Sequence, residues 1–305
     1  MAELLRGVLC GPYMLAAFLL VCTQHTCVNS LCFGRSAVAA VWHTLGLPTT
    51  QFFMCVIGVI LFPLQSRLTL VNVGTSVILY VPYLAIALLL MHRWLSHQAF
   101  RTTSYVGTAA LGILASLCNQ GPPLWWAACH ARHHRYCDRD GDPHSWSRDG
   151  FLYAWLGWTH WEWRTEWAYV APRFRRNTVL LFLHYAHPVI VNVFPAMLFR
   201  LNPEYAIWGW ILPSTLASVA GSLAFNVKNH PPAAAGGDKC KAIDTHLQIS
   251  RFSFFGEDRH KLHHERPRQL NRDRDGFIDL SYWMVLRPLL ALGVIESASP
   301  NKCTD

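Results

Sequence analysis

Charged residues are scarce in this chain of 305 residues. They make up 14% of the sequence and hydrophobic residues make up 52%, whereas about a quarter of a soluble domain is charged. This shortage excludes an ordinary water-soluble domain. It indicates a chain that lies largely within a membrane.

Two further absences narrow the possibilities. Although the sequence contains ten cysteines, no two of them are spaced as C-x-x-C, which excludes the zinc-ribbon and redox motifs of that spacing. We therefore expect reduced, structural cysteines. No internal repeat, low-complexity tract or linker divides the chain, so residues 36–305 are predicted to form one domain.

Long runs without a charged residue are what the sequence has instead. Four runs are long enough to cross a ~30 Å hydrocarbon core, which needs roughly 20 residues. They cover residues 36–66, 68–92, 177–199 and 205–227. The sequence thus predicts an all-α integral membrane protein with four core transmembrane helices. A fifth run lies in the hydrophobic N-terminal segment, residues 1–35, which is either a signal sequence, an extra transmembrane helix or an interfacial anchor.

The basic residues are unevenly distributed. Of the 26 Lys and Arg residues, ten lie between Arg93 and Arg176 and twelve lie between Lys228 and Lys302. Because an excess of basic residues marks cytoplasmic loops, both polar segments are predicted to face the cytoplasm of a multi-pass membrane protein. This topology explains the net charge of +8 without a nucleic-acid partner.

Nine of the 16 histidines stand in or beside these two segments with regular spacing. They are His92, His97, His130, His133, His134, His230, His260, His263 and His264. In each H-x-x-H-H pattern, positions i, i+3 and i+4 share one face of a helix, so three imidazoles can point together. Asn226 and His230 are likewise i and i+4. The five-residue step from His92 to His97 leaves them roughly 140° apart on an α-helix, so we expect them to serve different ions.

The number of histidines is more informative than their type. A catalytic zinc hydrolase uses three protein ligands and leaves a position for water, whereas nine imidazoles fit two ions of four to five nitrogens each. Imidazole suits iron, zinc and copper, so the ligand type leaves the metal open. A zinc-dependent membrane hydrolase is therefore an alternative, which metal analysis and an anaerobic assay would decide.

Four sequence elements resemble those of one enzyme family. HRWLSH, HARHH and HKLHH are similar to the three histidine boxes of membrane fatty acyl desaturases of the stearoyl-CoA desaturase superfamily, and NVKNH resembles the Asn-x-x-x-His element of that family. The likeness extends over roughly residues 50–297. Ala128 and Cys129 stand where the animal acyl-CoA enzymes have Arg and Asp, so WWAACHARHH resembles more closely the bacterial and lipid-linked type.

The resemblance implies four transmembrane helices under a cytosolic cap that carries two iron ions. The centre, as Fe²⁺ with O2 as co-substrate, would introduce a double bond into a fatty acyl chain. Carried over by position, one iron would be held by His92, His134, His230, His260 and His264. The other would be held by His97, His130, His133 and His263, with Asn226 acting through a water molecule. No catalytic residue beyond these metal ligands is implied.

Nearby side chains are expected to orient the imidazoles, since metal-bound histidines usually donate their other N–H to a carboxylate or carbonyl. The candidates are Asp138, Asp140, Asp142, Glu257, Asp258 and, by resemblance alone, His144. Cys129 and Cys137 flank the second box, where small apolar packing is favoured over thiolate ligation.

Partners and alternatives follow from the same resemblance. The substrate would be an acyl-lipid, an acyl-carrier-protein thioester or an acyl-CoA. The sequence lacks the His-Pro-Gly-Gly motif of a fused cytochrome b5, so a separate electron donor such as ferredoxin or cytochrome b5 is expected. A hydroxylase or acetylenase on the same centre is the closest alternative, because each reaction begins with hydrogen abstraction. The endoplasmic reticulum and the bacterial inner membrane both fit this topology.

Overall fold

The computed structural model describes residues 42, 45–61, 67–162, 164–232, 240–245, 252–274 and 276–298. The predicted N-terminal segment, residues 1–35, lies outside the described residues. The described chain is mostly helical, as predicted.

The main helices of the described part are labelled α1 to α7. They are α1 (Pro48–Leu61), α2 (Leu70–Ser96), α3 (Tyr105–Leu117), α4 (Pro123–Tyr136), α5 (Thr178–Leu201), α6 (Pro203–Lys228) and α7 (His260–Glu265). Shorter helical segments cover Trp146–Asp149, Tyr153–Gly157, Trp158–Trp161, Trp167–Tyr169, Pro172–Arg175, Tyr282–Leu286 and Arg287–Ala291.

Three of these helices, α2, α5 and α6, are long and apolar enough to cross a membrane. They coincide with the second, third and fourth predicted spans. Apolar side chains such as Leu70, Val77 and Phe182 are exposed on α2 and α5, as expected for surfaces that contact lipid. Within the first predicted span, residues 36–66, the described helix is α1, which has 14 residues.

Polar residues between the apolar runs fix where the long helices begin. The Thr69 hydroxyl accepts a hydrogen bond from the Asn72 backbone N–H at 3.1 Å, and the side-chain Oδ1 of Asn177 accepts one from the Leu180 N–H at 3.0 Å. Each bond satisfies a backbone donor that has no partner inside the helix. Asn202 caps α6 in the same way, so α5 and α6 form a hairpin with a very short turn.

The end of α2 is a π-helix, which covers Ala87–Ser96. Two further π-helical segments, Ile207–Ile211 and Ala217–Ser222, lie within α6. A π-helix bonds the N–H of residue i+5 to the carbonyl of residue i. The N–H of His97 donates to the carbonyl of His92 at 3.1 Å in this way.

Four short strands among the described residues correct the all-α prediction. β1 (Phe100–Thr102) pairs antiparallel with β4 (Ile295–Ser297), and β2 (Phe252–Ser253) pairs in parallel with β3 (Ile278–Asp279). Strands of two or three residues leave too little periodicity to be recognised in a sequence. Their effect is local, since the β1–β4 pair anchors the C-terminal segment directly after the first histidine pair.

Helix α4 is buried over its first eight residues, Pro123 to His130. It begins with Pro123, whose missing N–H costs nothing at the first helical position. The ring of Trp125 stacks on that of Trp158 at 5.5 Å, and its Nε1 donates to the Glu162 carbonyl at 2.6 Å. Because α4 also packs along the end of α2, the histidines of these two helices face each other.

Candidate metal centre

Four separate parts of the chain bring nine imidazoles together. These parts are the end of α2, the second half of α4, the residues directly after α6, and α7. The nine rings are those of His92, His97, His130, His133, His134, His230, His260, His263 and His264. Most of them are buried, although His134 and His264 are partly exposed.

The first cluster contains His92, His97, His130, His134 and His263. One ring nitrogen from each lies within 4.8 Å of those of all the others. The Nε2 atoms of His97 and His130 are 2.8 Å apart, and the His263 Nε2 lies 3.1 Å from that of His92 and 2.9 Å from that of His134.

The second cluster contains His133, His230, His260 and His264. Ring nitrogens of His133, His230 and His264 lie within 4.8 Å of one another and of the Cys137 sulfur. The Nε2 of His260 lies 3.0 Å from that of His230 and 3.1 Å from that of His264. The two clusters adjoin, since the rings of His134 and His264 stack at 4.1 Å.

The structure places His92 and His97 in one cluster, whereas the sequence predicted that they would serve different ions. That prediction assumed α-helical geometry, in which five residues turn the side chain away. The π-helical end of α2 instead brings residues five apart onto one face.

The two clusters also differ from the division implied by the resemblance. His92 and His134, expected beside His230, lie in the first cluster. His133, expected beside His97, lies in the second. The same nine residues are therefore grouped as five and four.

Carboxylates contact the Nδ1 atoms of several of these rings. Both carboxylate oxygens of Asp142 lie 3.0 Å from the His133 Nδ1, and an oxygen of Asp138 lies 2.9 Å from the His230 Nδ1. A carboxylate that accepts the Nδ1 proton leaves the Nε2 lone pair free for a metal ion. Asp138 reaches this position with a φ of 58°, in the left-handed region that Asp tolerates better than most residues.

Glu257, His144 and Asn226 occupy different positions. Glu257 Oε1 lies 3.2 Å from the His92 Nδ1. The His144 ring stacks on that of His133 at 4.3 Å, and its Nδ1 lies 3.9 Å from Asp142. The Asn226 Nδ2 is buried and has no hydrogen-bond partner among the described residues, which fits a water molecule at that position.

Sequence reasoning missed a buried ionic network beneath the first cluster. Arg272 contacts Glu257 at 2.6 Å and the His263 Nδ1 at 3.0 Å, and Arg93 contacts Asp279 at 2.7 Å. Both arginine side chains are almost fully buried. The available signal was Arg93 itself, an arginine that directly follows His92 at the end of an apolar run.

Burial sets the charge of most of the ring nitrogens. It lowers the pKa well below the usual value for His97, His130, His134, His260, His263 and His264. These imidazoles are neutral at neutral pH, which is the form that binds a metal ion. His133 differs, because the Asp142 carboxylate outweighs burial and raises its pKa.

A disulfide joins Cys137 to Cys240, whereas the sequence predicted reduced cysteines. The two residues are 103 positions apart, and such a pairing cannot be deduced from spacing. Cys129 is free and buried, in agreement with the predicted packing role.

The fold and the site define a helical membrane protein with two adjoining histidine clusters. A family model for fatty acid desaturases matches residues 68–270, which is more than half of the chain. The chain therefore belongs to the fatty acid desaturase family. The predicted resemblance to this family is thus confirmed.

Three relatives illustrate the range of the family. The hex-5-enoyl-acyl-carrier-protein acetylenase of Moorena producens is 28% identical over 144 residues, which are 42% of this chain and 39% of that protein. The sn-1 stearoyl-lipid 9-desaturase of Anabaena variabilis is 25% identical over 259 residues, which are 80% of this chain and 90% of that protein. The acyl-CoA desaturase 1 of Tachysurus fulvidraco is 28% identical over 261 residues, which are 79% and 75% of the two chains.

Proposed function

We propose that this protein is an O2-dependent di-iron desaturase that introduces a double bond into a fatty acyl chain. The observation that carries the proposal is the pair of adjoining imidazole clusters in a chain of this family. Three ligands suffice for a catalytic zinc site, so nine imidazoles exceed what the alternative of a zinc hydrolase requires.

The spacing of the nitrogens fits metal ions. Two nitrogens that each lie about 2.1 Å from one ion at right angles are about 3.0 Å apart. The Nε2–Nε2 distances of 2.8 to 3.1 Å in both clusters agree with that value. One ion would be held by His92, His97, His130, His134 and His263, and the other by His133, His230, His260 and His264, with Asn226 acting through water.

When bound, the irons would supply the O2 chemistry that removes two hydrogens from an unactivated C–H pair. The protein's own residues would position and protect. Asp142 and Asp138 would hold the rings of His133 and His230 in the tautomer that presents Nε2. The buried tryptophans Trp125, which belongs to α4, and Trp158, which stacks on it, would exclude water from the approach to the clusters.

The relatives support the choice of substrate and partner classes. Their names specify acyl-carrier-protein, acyl-lipid and acyl-CoA substrates, so we propose one of these three carriers for the present chain. Electrons would come from a separate protein such as ferredoxin or cytochrome b5.

The topology that we propose has four transmembrane helices, with α1 as part of the first. The histidine clusters would lie in a cap on the cytoplasmic side, because most Lys and Arg residues lie in the same segments as the ligands. The membrane would be the endoplasmic reticulum or the bacterial inner membrane.

An acetylenase is the second candidate function. The observation that favours it is the similarity to the Moorena producens acetylenase, which includes 42% of this chain. An acetylenase would remove two hydrogens from an existing double bond, on the same centre. A hydroxylase would begin with the same abstraction.

The test is the mass of the product formed by iron-loaded protein with O2, a reduced donor and each acyl substrate class. We expect a product lighter by two hydrogens from a saturated chain, and no product from His133→Ala. His160→Ala, at a histidine outside both clusters, is the matched control and should keep full activity.

Other results would contradict the proposal. An acetylenase would act on the unsaturated substrate alone, and a hydroxylase would give a product heavier by one oxygen. Turnover without O2 in a protein that contains zinc would establish the hydrolase.

A further inference from the structure

The disulfide lies against the second histidine cluster. Cys137 directly follows α4, and its Cα lies 5.0 Å from that of Cys240. The Cys137 sulfur is 3.7 Å from the His230 Nδ1, and the Cys240 sulfur is 3.5 Å from the His264 Nδ1. The Nε2 atoms of both rings point the other way, towards His260. The two sulfurs therefore pack against the Nδ1 side of two candidate ligands.

Hydrogen bonds place the same segment against the cluster. The Lys241 backbone N–H donates to an oxygen of Asp138 at 2.9 Å, and that oxygen also contacts the His230 Nδ1 at 2.9 Å. Cys137 directly precedes Asp138, and Cys240 directly precedes Lys241. The disulfide therefore adds a covalent bond beside this hydrogen bond. When it is formed, the two sulfurs that contact the Nδ1 atoms of His230 and His264 stay joined to each other.

The two cysteines differ in accessibility. Cys137 is almost fully buried, whereas Cys240 is partly exposed. Cys240 is therefore the cysteine of the bond that is more open to a small thiol reagent. Disulfides on the cytoplasmic side of a membrane are usually transient and redox-sensing rather than structural.

We propose that Cys137 and Cys240 form a reversible oxidation site that controls how tightly the second cluster holds its metal ion. When the disulfide is formed, the cluster holds its metal ion tightly. When the two cysteines are reduced, the ion exchanges. This inference rests on the proposed function for the presence of the ion and for the cytoplasmic location.

The chemistry is a thiol–disulfide exchange. A glutathione disulfide accepts two electrons and two protons from the Cys137 and Cys240 thiols, so that its own S–S bond breaks and two glutathione thiols leave. The Cys137–Cys240 bond forms through a mixed disulfide, for which the partly exposed Cys240 is the accessible partner. A small dithiol reverses the exchange.

The first experiment maps the thiols. The full-length, Fe²⁺-loaded protein in lipid nanodiscs is equilibrated without O2 at a series of ratios of reduced to oxidised glutathione. Free thiols are then blocked with N-ethylmaleimide and located by peptide mass mapping. We expect Cys137 and Cys240 to change together and reversibly in the folded protein. A bond that forms at no ratio, or one that dithiothreitol breaks only after unfolding, would overturn the proposal.

The second experiment measures the rate at which a ferrous chelator removes iron. We expect about half of the iron to leave about ten-fold more slowly from the linked state than from the reduced state, because partners behind a metal ligand change metal affinity by about 10- to 100-fold. The variant C137S/C240S should lose iron at the fast rate at every glutathione ratio. Cys118→Ser, at a buried cysteine that is free, is the control and should keep the redox dependence.

The outcomes separate the two proposals. Iron loss that is independent of the linkage would overturn the redox control alone. A wild-type chain that holds no more iron than His133→Ala would overturn the proposed function, and the control of metal retention with it.

Discussion

The nine imidazoles differ in which side chain, if any, contacts their Nδ1 atom. His133 and His230 face carboxylates, which can only accept the Nδ1 proton. His263 faces Arg272, and a guanidinium can only donate. With Arg272 in this position the His263 Nδ1 must be unprotonated, so a metal ion on Nε2 requires either a fully deprotonated ring or a shift of the arginine. His263 is therefore the candidate ligand whose protonation is most sensitive to the buried network.

Asp142 is the carboxylate with the most direct control over a ring. Burial alone would raise its pKa, but the neighbouring His133 outweighs burial and lowers the pKa below its usual value. The carboxylate therefore stays ionised across the physiological range and keeps the His133 Nδ1 proton in place.

We predict that Asp142→Asn weakens metal binding at the second cluster by about 10- to 100-fold, the usual effect of removing a partner behind a metal ligand. The asparagine has nearly the same shape, but it carries no charge to hold the Nδ1 proton. Competition with a calibrated chelator measures the affinity.

Asp140→Asn is the matched control, because the Asp140 side chain is fully exposed and only two positions away. It should bind metal like the wild type. Equal affinities for the Asp142 variant and the wild type would show that the carboxylate does not orient the ring.

At the scale of the element, the π-helical end of α2 decides which histidines meet. The sequence HRWLSH gives the positions of His92 and His97 but not the period of the helix between them. An α-helix and a π-helix differ by one residue per hydrogen-bonded turn. The sequence therefore identified both histidines as candidate ligands. The assumption of a regular α-helix placed them in separate sites, whereas the π-helix brings them into one cluster.

We predict that one alanine inserted after Trp94 removes His97 from the first cluster. The six-residue step to His92 then points the two rings roughly 120° apart on an α-helix, and the chain after it is displaced. Iron content should fall to about half, as metal analysis of the purified protein would show.

An alanine inserted after the exposed Gly150 is the control for any effect of lengthening the chain, and it should leave the iron content unchanged. Circular dichroism would establish that both variants retain their helices. Full iron content in a folded Trp94 insertion variant would contradict the role assigned to the π-helix.

For the whole molecule, the sequence predicted the parts better than their assembly. Runs without charge located α2, α5 and α6, because a hydrocarbon core demands long apolar helices. Regular spacing identified the nine histidines, because ligands of one site must share helix faces. The Cys137–Cys240 bond, the division into two clusters and the short strands depend on contacts between distant segments, which no local pattern encodes.

The buried arginines show the same limit. Arg272 lies in the segment RPRQLNRDRD, which contains four arginines. Composition cannot tell which of them is buried against Glu257, because that depends on the path of the chain after α7. Charge patterns predict the side of the membrane, whereas individual ion pairs require the structure.

The central claim is that two ions are held by imidazoles from four distant parts of one chain. Iron analysis of the purified full-length protein, together with its Mössbauer spectrum, tests it most directly. We predict two irons per chain in nitrogen-rich sites, and about one in His133→Ala. A wild-type protein with a single iron, or with zinc and no iron after expression in iron-replete cells, would contradict the claim.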